Sequence, residues 1–156
     1  MNQKNIKRTG GCQCGAVRYC ANSLKDNAHV CHCRMCQKAS GNFFAPLVGV
    51  LHTDFAWTKG KASFFQSSGQ VKRGFCAQCG TPLFFQHEDS QHISLFIGSF
   101  DQPREIVLDF ECGMEGRMPQ LDQLQGDLPN YGSTEQAMED SVAEIRNTNH
   151  QHPDHD

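Results

Sequence analysis

Seven of the nine cysteines fall into three tight clusters: Cys12-Gln13-Cys14, Cys31-His32-Cys33-Arg34-Met35-Cys36 and Cys76-Ala77-Gln78-Cys79. Such clusters constrain a fold more than any hydrophobic pattern does. Two hooks of two cysteines can close a tetrahedral metal site and pin distant segments together, whereas three cysteines leave one coordination position vacant. A closed site supports a fold, and an open one can do chemistry.

At 156 residues the chain is one domain long with a tail, which we place at 1–131 and 132–156. The segment Met1 to Arg8 is polar and basic without an apolar core, and no stretch approaches about 18 consecutive apolar residues. These features predict a cytoplasmic protein that does not engage a membrane. In a reducing compartment clustered thiols are more often metal ligands than disulfides. Residues 1–114 carry 12 Lys/Arg against 8 Asp/Glu, and residues 115–156 carry 2 against 9. Seven thiolates holding two Zn²⁺ would bring the first segment close to neutral, so no basic face for nucleic acid is expected.

Between the clusters the chain reads as short strands over 15–20, 43–51, 62–66, 81–86 and 92–98. They are rich in β-branched and aromatic residues and are separated by turn formers such as Thr58-Lys59-Gly60-Lys61. The fold class is therefore mainly β, largely antiparallel. The eleven phenylalanines belong to the core of two packed sheets rather than to a base-stacking platform. After Met118-Pro119 the pattern changes. Ser133-Thr134-Glu135-Gln136 resembles a capping box, and Met138, Val142 and Ile145 predict a short amphipathic helix over 134–146. The end, from His150 to Asp156, is expected to be disordered.

Cys12, Cys14, Cys76 and Cys79 are assigned to one closed structural zinc site, with iron as the minor alternative. A glycine follows each hook, Gly15 and Gly80, and permits the turn that aims backbone N–H groups at the sulfurs. Cys31, Cys33 and Cys36 supply three sulfurs from one loop to a second, open zinc site. Cys20 or Cys112 could complete it, although a buried free thiol is the ordinary explanation of both. His32, flanked by two ligands, is expected to point away from the metal. Arg34 and Lys38 are the nearest cations. They either offset thiolate charge, hold a substrate carboxylate or are simply solvated.

Three thiolates on Zn²⁺ give a net charge of −1, so such a zinc is a poor generator of hydroxide. This argues against a hydrolase. It suits binding a substrate thiol as thiolate while a carbon–sulfur bond forms or breaks, with Cys31, Cys33 and Cys36 as the catalytic centre.

Three ordered segments, 10–19, 31–41 and 73–83, together with Ile97 to Pro103 and Asp127 to Tyr131, resemble the glutathione-dependent formaldehyde-activating enzyme family, which also includes centromere protein V. The resemblance implies an Mss4-like fold of antiparallel sheets. It also implies a structural zinc on Cys12, Cys14, Cys76 and Cys79, and a second zinc on Cys31, Cys33 and Cys36. The implied activity is that of a carbon–sulfur lyase, making S-hydroxymethylglutathione from glutathione and formaldehyde, with a small thiol or its aldehyde adduct as partner. Family members commonly carry a histidine and a tryptophan before the ending at 127–131. Here that stretch reads Leu108-Asp109-Phe110-Glu111-Cys112-Gly113-Met114. Two competing functions are a zinc-stabilised binding module without catalysis and methionine sulfoxide reduction, for which Cys112 is the candidate redox thiol.

Overall fold

A strand sends alternate side chains to opposite faces, and here the two faces of one large sheet serve different ends. The computed structural model describes residues 5–126, 128–129, 144–145 and 147–156. Its strands are β1 (Arg8–Gly11), β2 (Arg18–Ala21), β3 (His29–Cys31), β4 (Ala45–Leu51), β5 (Phe55–Lys59), β6 (Ser63–Ser68), β7 (Val71–Phe75), β8 (Pro82–His87), β9 (His92–Phe96) and β10 (Phe110–Cys112). They form a three-stranded sheet, β1-β2-β5, and a seven-stranded sheet, β10-β3-β4-β9-β8-β7-β6. Every pairing is antiparallel except that of β10 with β3. The mainly β expectation therefore holds.

The five predicted strands correspond to β2, β4, β6, β8 and β9, and five others carried no readable signal. β1 (Arg-Thr-Gly-Gly), β3 (His-Val-Cys) and β10 (Phe-Glu-Cys) are too short or too polar to show a two-residue period, and tertiary pairing alone makes them strands. Helix α1 (Arg34–Ser40) stands where the sequence predicts only a loop. Cys33 opens it in extended conformation, and Gly41 closes it at φ +61°, a left-handed turn suited to glycine. A second short helix, α2, covers Gln120–Gln123.

β4 and β9 set the division of faces, with Leu47 opposite Phe96, Val48 opposite Leu95, Gly49 opposite Ser94 and Val50 opposite Ile93. Val48, Val50, Ile93 and Leu95 face the small sheet and are almost fully buried with Val17, Tyr19, Ala21 and Leu24. Tyr19 has no exposed surface. Its ring packs edge-on to Trp57 and Phe100, and its hydroxyl lies 2.8 Å from Ser99 Oγ. Burying that phenol requires the partner, since an unpaired buried hydroxyl is costly. The opposite face holds a second, smaller core of Ala45, Leu47, Phe96 and Cys36, on which α1 rests.

The end of the chain, expected to be disordered, makes polar contacts with the domain. His152 donates its backbone N–H to the Gln13 carbonyl at 2.7 Å, and Asp156 Oδ1 lies 2.6 Å from Arg18 Nη2. Polar partners left open on the Cys12–Cys14 turn and on Arg18 hold a segment too hydrophilic to be read as ordered. The helix predicted over 134–146 lies outside the described residues apart from 144–145. Among the described residues no helix is long and apolar enough to cross a membrane.

Arg18 also makes a two-pronged pair with Asp101, Nη1 to Oδ1 at 2.9 Å and Nη2 to Oδ2 at 2.6 Å, and the Thr9 hydroxyl donates to the same carboxylate. Burial works against the Asp101 charge, but the Arg18 and Thr9 hydrogen bonds prevail and hold its carboxyl below the usual range. A carboxyl depressed in the folded state stabilises fully above its unfolded pKa, about 4, and that contribution is lost as pH falls through the folded value. Asp101→Asn is expected to lower stability at pH 7 by about 2–3 kcal/mol, roughly 5–10 °C in melting temperature. It should also flatten the decline of stability below about pH 4. Thermal melts of the two proteins between pH 3 and 7 check this.

Candidate functional site

The hook after β1 and the hook after β7 meet although Cys14 and Cys76 are 62 positions apart. The four sulfurs of Cys12, Cys14, Cys76 and Cys79 all lie within 4.8 Å of one another, with Cys12 and Cys76 buried. Both turns are built alike. Gly15 N–H donates to the Cys12 carbonyl and Gly80 N–H to that of Cys76, at 3.0 and 2.8 Å, with φ of +71° and +77° at the two glycines. Val17 N–H points at Cys12 Sγ, 3.3 Å away.

The donor set suits zinc. Bonds of about 2.3 Å in tetrahedral array place sulfurs roughly 3.8 Å apart, and Cys12–Cys14 and Cys14–Cys76 are separated by 3.6 and 3.9 Å. The environment favours thiolate at one position at least. Burial opposes it, but the Thr81 hydroxyl, 3.2 Å from the sulfur, and backbone N–H groups pull the Cys79 thiol down to about 6. Cys76 is pushed the other way, chiefly by burial, so a cation is needed to make all four sulfurs anionic together.

The second cluster sits on the other face of the large sheet. Cys31 ends β3, Cys33 caps α1 and Cys36 lies in its first turn, and their sulfurs are again within 4.8 Å of one another. The helix creates this set by folding Cys36 back over the strand end. Burial, then the neighbouring sulfurs, push Cys36 up to about 12, and only Arg73 works against them. Cys33 is held below the usual thiol range, because hydrogen bonds from the Cys36 backbone and from Cys36 and Cys31 outweigh its burial.

Arg73 is the functional residue that sequence reasoning missed. Sheet register carries it in from β7: Arg73 opposes Phe85, Phe85 opposes Ser94, and Ser94 opposes Gly49. Only 8% exposed, its guanidinium nitrogens lie 3.6 and 3.7 Å from Cys36 Sγ, over the Phe85 ring at 5.1 Å, with Nε donating to Ser67 at 3.0 Å. Among the described residues no carboxylate pairs with it. A buried cation needs a counter-charge, and the nearest candidate is the Cys36 sulfur, which supplies one only as a thiolate. Its place three residues before Cys76 was the only signal in the sequence.

A cavity of about 370 Å³ opens over the three sulfurs. Leu47, Phe85 and Arg73 line one part, and His29, His92 and Ser94 another. His29 Nδ1 is tied to the Asn27 carbonyl at 2.7 Å, and His92 Nδ1 lies 2.9 Å from Ser90 Oγ. Burial, then Lys25 and His52, hold His92 below the usual imidazole range, so it is neutral at pH 7.

His32 points away from the sulfurs as expected, but it is buried, with Nε2 3.1 Å from Glu111 and its ring against Phe44. Arg34 and Lys38 are exposed on the outer side of α1. Cys20 is buried in β2 near Asn22. Cys112 pairs in register with Cys31 across the parallel β10–β3 contact, and Phe110 stacks on His29 at 4.8 Å. The stretch that departs from the family pattern thus borders the site. Cys112 lies outside the mutually close set, and burial followed by Cys31 pushes its thiol up to about 11. That is opposite to what a redox nucleophile requires.

The residues 7–112 match the family described as glutathione-dependent formaldehyde-activating enzyme. The chain belongs to that family. The matched segment contains all seven clustered cysteines and Arg73, and it ends at Cys112, short of the 131 reached by the sequence resemblance. A crystal structure of a Rhodobacter sphaeroides protein is similar in fold, with a TM-score of 0.54 and 20% identity over 67% of this chain and 98% of that one.

Two variants separate the clusters. If the four-cysteine set holds a structural metal, Cys76→Ser is expected to abolish folding, because it would remove one of the sulfurs joining the hooks after β1 and β7. Circular dichroism and protease resistance check this. If the Cys31 cluster holds a metal, Arg73→Met is expected to keep the fold yet weaken metal retention there by about tenfold or more, since a buried thiolate would lose a charged hydrogen-bond partner. Zinc release to a graded chelator measures it, and Arg73→Lys should recover only part because it lacks the planar fork.

Proposed function

We propose that the chain catalyses reversible carbon–sulfur bond formation between a small thiol and an aldehyde, with the Cys31, Cys33 and Cys36 cluster as a zinc site. The observation that carries the reading is the contrast between the two clusters. One set of four sulfurs is closed between two hooks, and one set of three opens into a cavity beside a buried cation. Zinc held by the three cysteines would supply a Lewis-acidic position at which a thiol is bound as thiolate. Family membership supports glutathione as the thiol and formaldehyde as the aldehyde.

The chemistry balances without a redox partner. The substrate thiol gives up its proton, its sulfur attacks the aldehyde carbon, and the carbonyl π pair moves to oxygen, which takes a proton to complete the hydroxymethyl adduct. The reverse path breaks the same carbon–sulfur bond. Arg73 offsets the negative charge of the sulfurs, and Phe85 and Leu47 limit water at the reacting atoms. Neutral His92, lining the same cavity, is placed to accept the thiol proton and return it to the oxygen.

Cys33→Ser is expected to lose one of two zinc ions and all adduct formation while retaining the fold, because the four-cysteine site is untouched. Gentle chelation should extract the same zinc first, since a three-sulfur site holds metal less tightly than a closed one. Zinc content, followed beside adduct formation from glutathione and formaldehyde, tests both. Turnover persisting after the first zinc is lost would end this reading. So would cobalt-substituted protein whose absorption is unchanged by 2-mercaptoethanol.

A further inference from the structure

A second cavity lies against the first. It occupies about 420 Å³ between the outer side of α1 and strands β6 and β7, lined by Arg34, Met35, Lys38, Phe65 and Arg73 among others. Met35 and Arg73 form the wall common to both cavities. A molecule with its sulfur at the Cys31 cluster can therefore extend over Met35 into this groove.

The chemistry of the groove is that of an anion site with apolar walls. Arg34 and Lys38 are four residues apart, so they stand on the same side of the helix and repel each other. Arg8, Arg18, Lys72 and Arg117 each stand against a carboxylate. Among the described residues Arg34 and Lys38 have none, as is also so of Lys25, Lys59, Lys61 and Arg104, and the Arg34 guanidinium donates to the neutral Gln37 amide oxygen at 3.4 Å. No acidic side chain lines the groove. Met35 and Phe65 are 61% and 64% exposed, an uncovered pair of large apolar groups at the same place. Two unmatched cations beside two uncovered apolar side chains fit a flexible organic acid better than they fit water.

Resting on the thiol reading above, we propose that this groove holds the carboxylate-bearing arm of the thiol substrate. Arg34 and Lys38 would be its charge partners and Met35 and Phe65 its apolar bed. The site would then select an acidic, peptide-like thiol over a small neutral one. Specificity arises from the groove, and reactivity from the sulfur cluster.

S-methylglutathione carries the carboxylates but no free thiol, so its binding reads the groove without the reaction. Calorimetry on the purified, zinc-loaded protein should detect it, and binding should weaken as salt is raised. Its diethyl ester should bind at least about tenfold more weakly, as expected for loss of charged hydrogen bonds. In the double variant Arg34→Gln/Lys38→Gln, with zinc content and melting temperature as in wild type, the acid should bind as weakly as the ester. The inference is overturned if S-methylglutathione does not bind, if the ester binds as tightly as the acid, or if the double variant keeps wild-type affinity. Failure of the thiol reading would appear elsewhere, as cobalt absorption indifferent to 2-mercaptoethanol, and would leave these calorimetric results in place.

Discussion

The large sheet has one face for the core and one for chemistry, and the strict two-residue alternation of its strands is the constraint on which the rest depends. Val48 and Val50 pack toward Tyr19, while Leu47 and Gly49 between them look the other way, under α1 and the cavity. A slip of one residue between β4 and β9 would turn the slipping strand's two sets of side chains over. If β9 slipped, Ser94 and His92 would enter the hydrophobic core and Ile93 and Leu95 would turn toward the sulfurs. The same register sets the Arg73, Phe85 and Ser94 rungs that reach across three strands to the cluster. Gly49 fits this design, since a Cβ there would fall within 3.0 Å of both terminal atoms of the Asn27 amide and 3.2 Å from the His92 ring.

Charge is the second organising quantity. Burial alone disfavours thiolate at Cys36 and Cys76, and an isolated buried thiolate would simply take up a proton. The two clusters answer this differently. At the four-cysteine set the counter-charge would come from a metal such a set can accommodate, with the Thr81 hydroxyl and paired knuckle turns orienting the sulfurs. At the three-cysteine set a guanidinium is built in as well. With a dication bound, three thiolates and Arg73 would sum to neutrality, so in the proposed reaction a thiolate would not meet a site already strongly negative.

The end of the C-terminal tail, 147–156, meets the domain through polar contacts. Arg18 is saturated on one side by Asp101 and still presents donors to Asp156, and the Gln13 carbonyl receives the His152 N–H. Exposed pairs of this kind contribute little singly. They nevertheless place the end of the chain beside the Cys12–Cys14 turn, where a side chain on Gly15 would strike the His152 ring.

The sequence by itself determined the local cysteine hooks, because covalent spacing confines Cys12 to Cys14, Cys76 to Cys79 and Cys31 to Cys36 wherever the chain goes, and a glycine follows each of the first two. It also determined the strands whose side chains are bulky and apolar, such as β4 and β9. Tertiary structure alone decided which side chains surround the open cluster. Arg73, His92 and Ser94 come from strands far along the chain, and in the sequence each looks like an ordinary polar residue of a strand. Cys112 and Phe110 reach β3 through a parallel pairing of three residues, too short to leave a pattern. Local chemistry is written in neighbouring residues and can be read from them, whereas a convergence of single residues depends on strand order and register, which are set by the whole core at once.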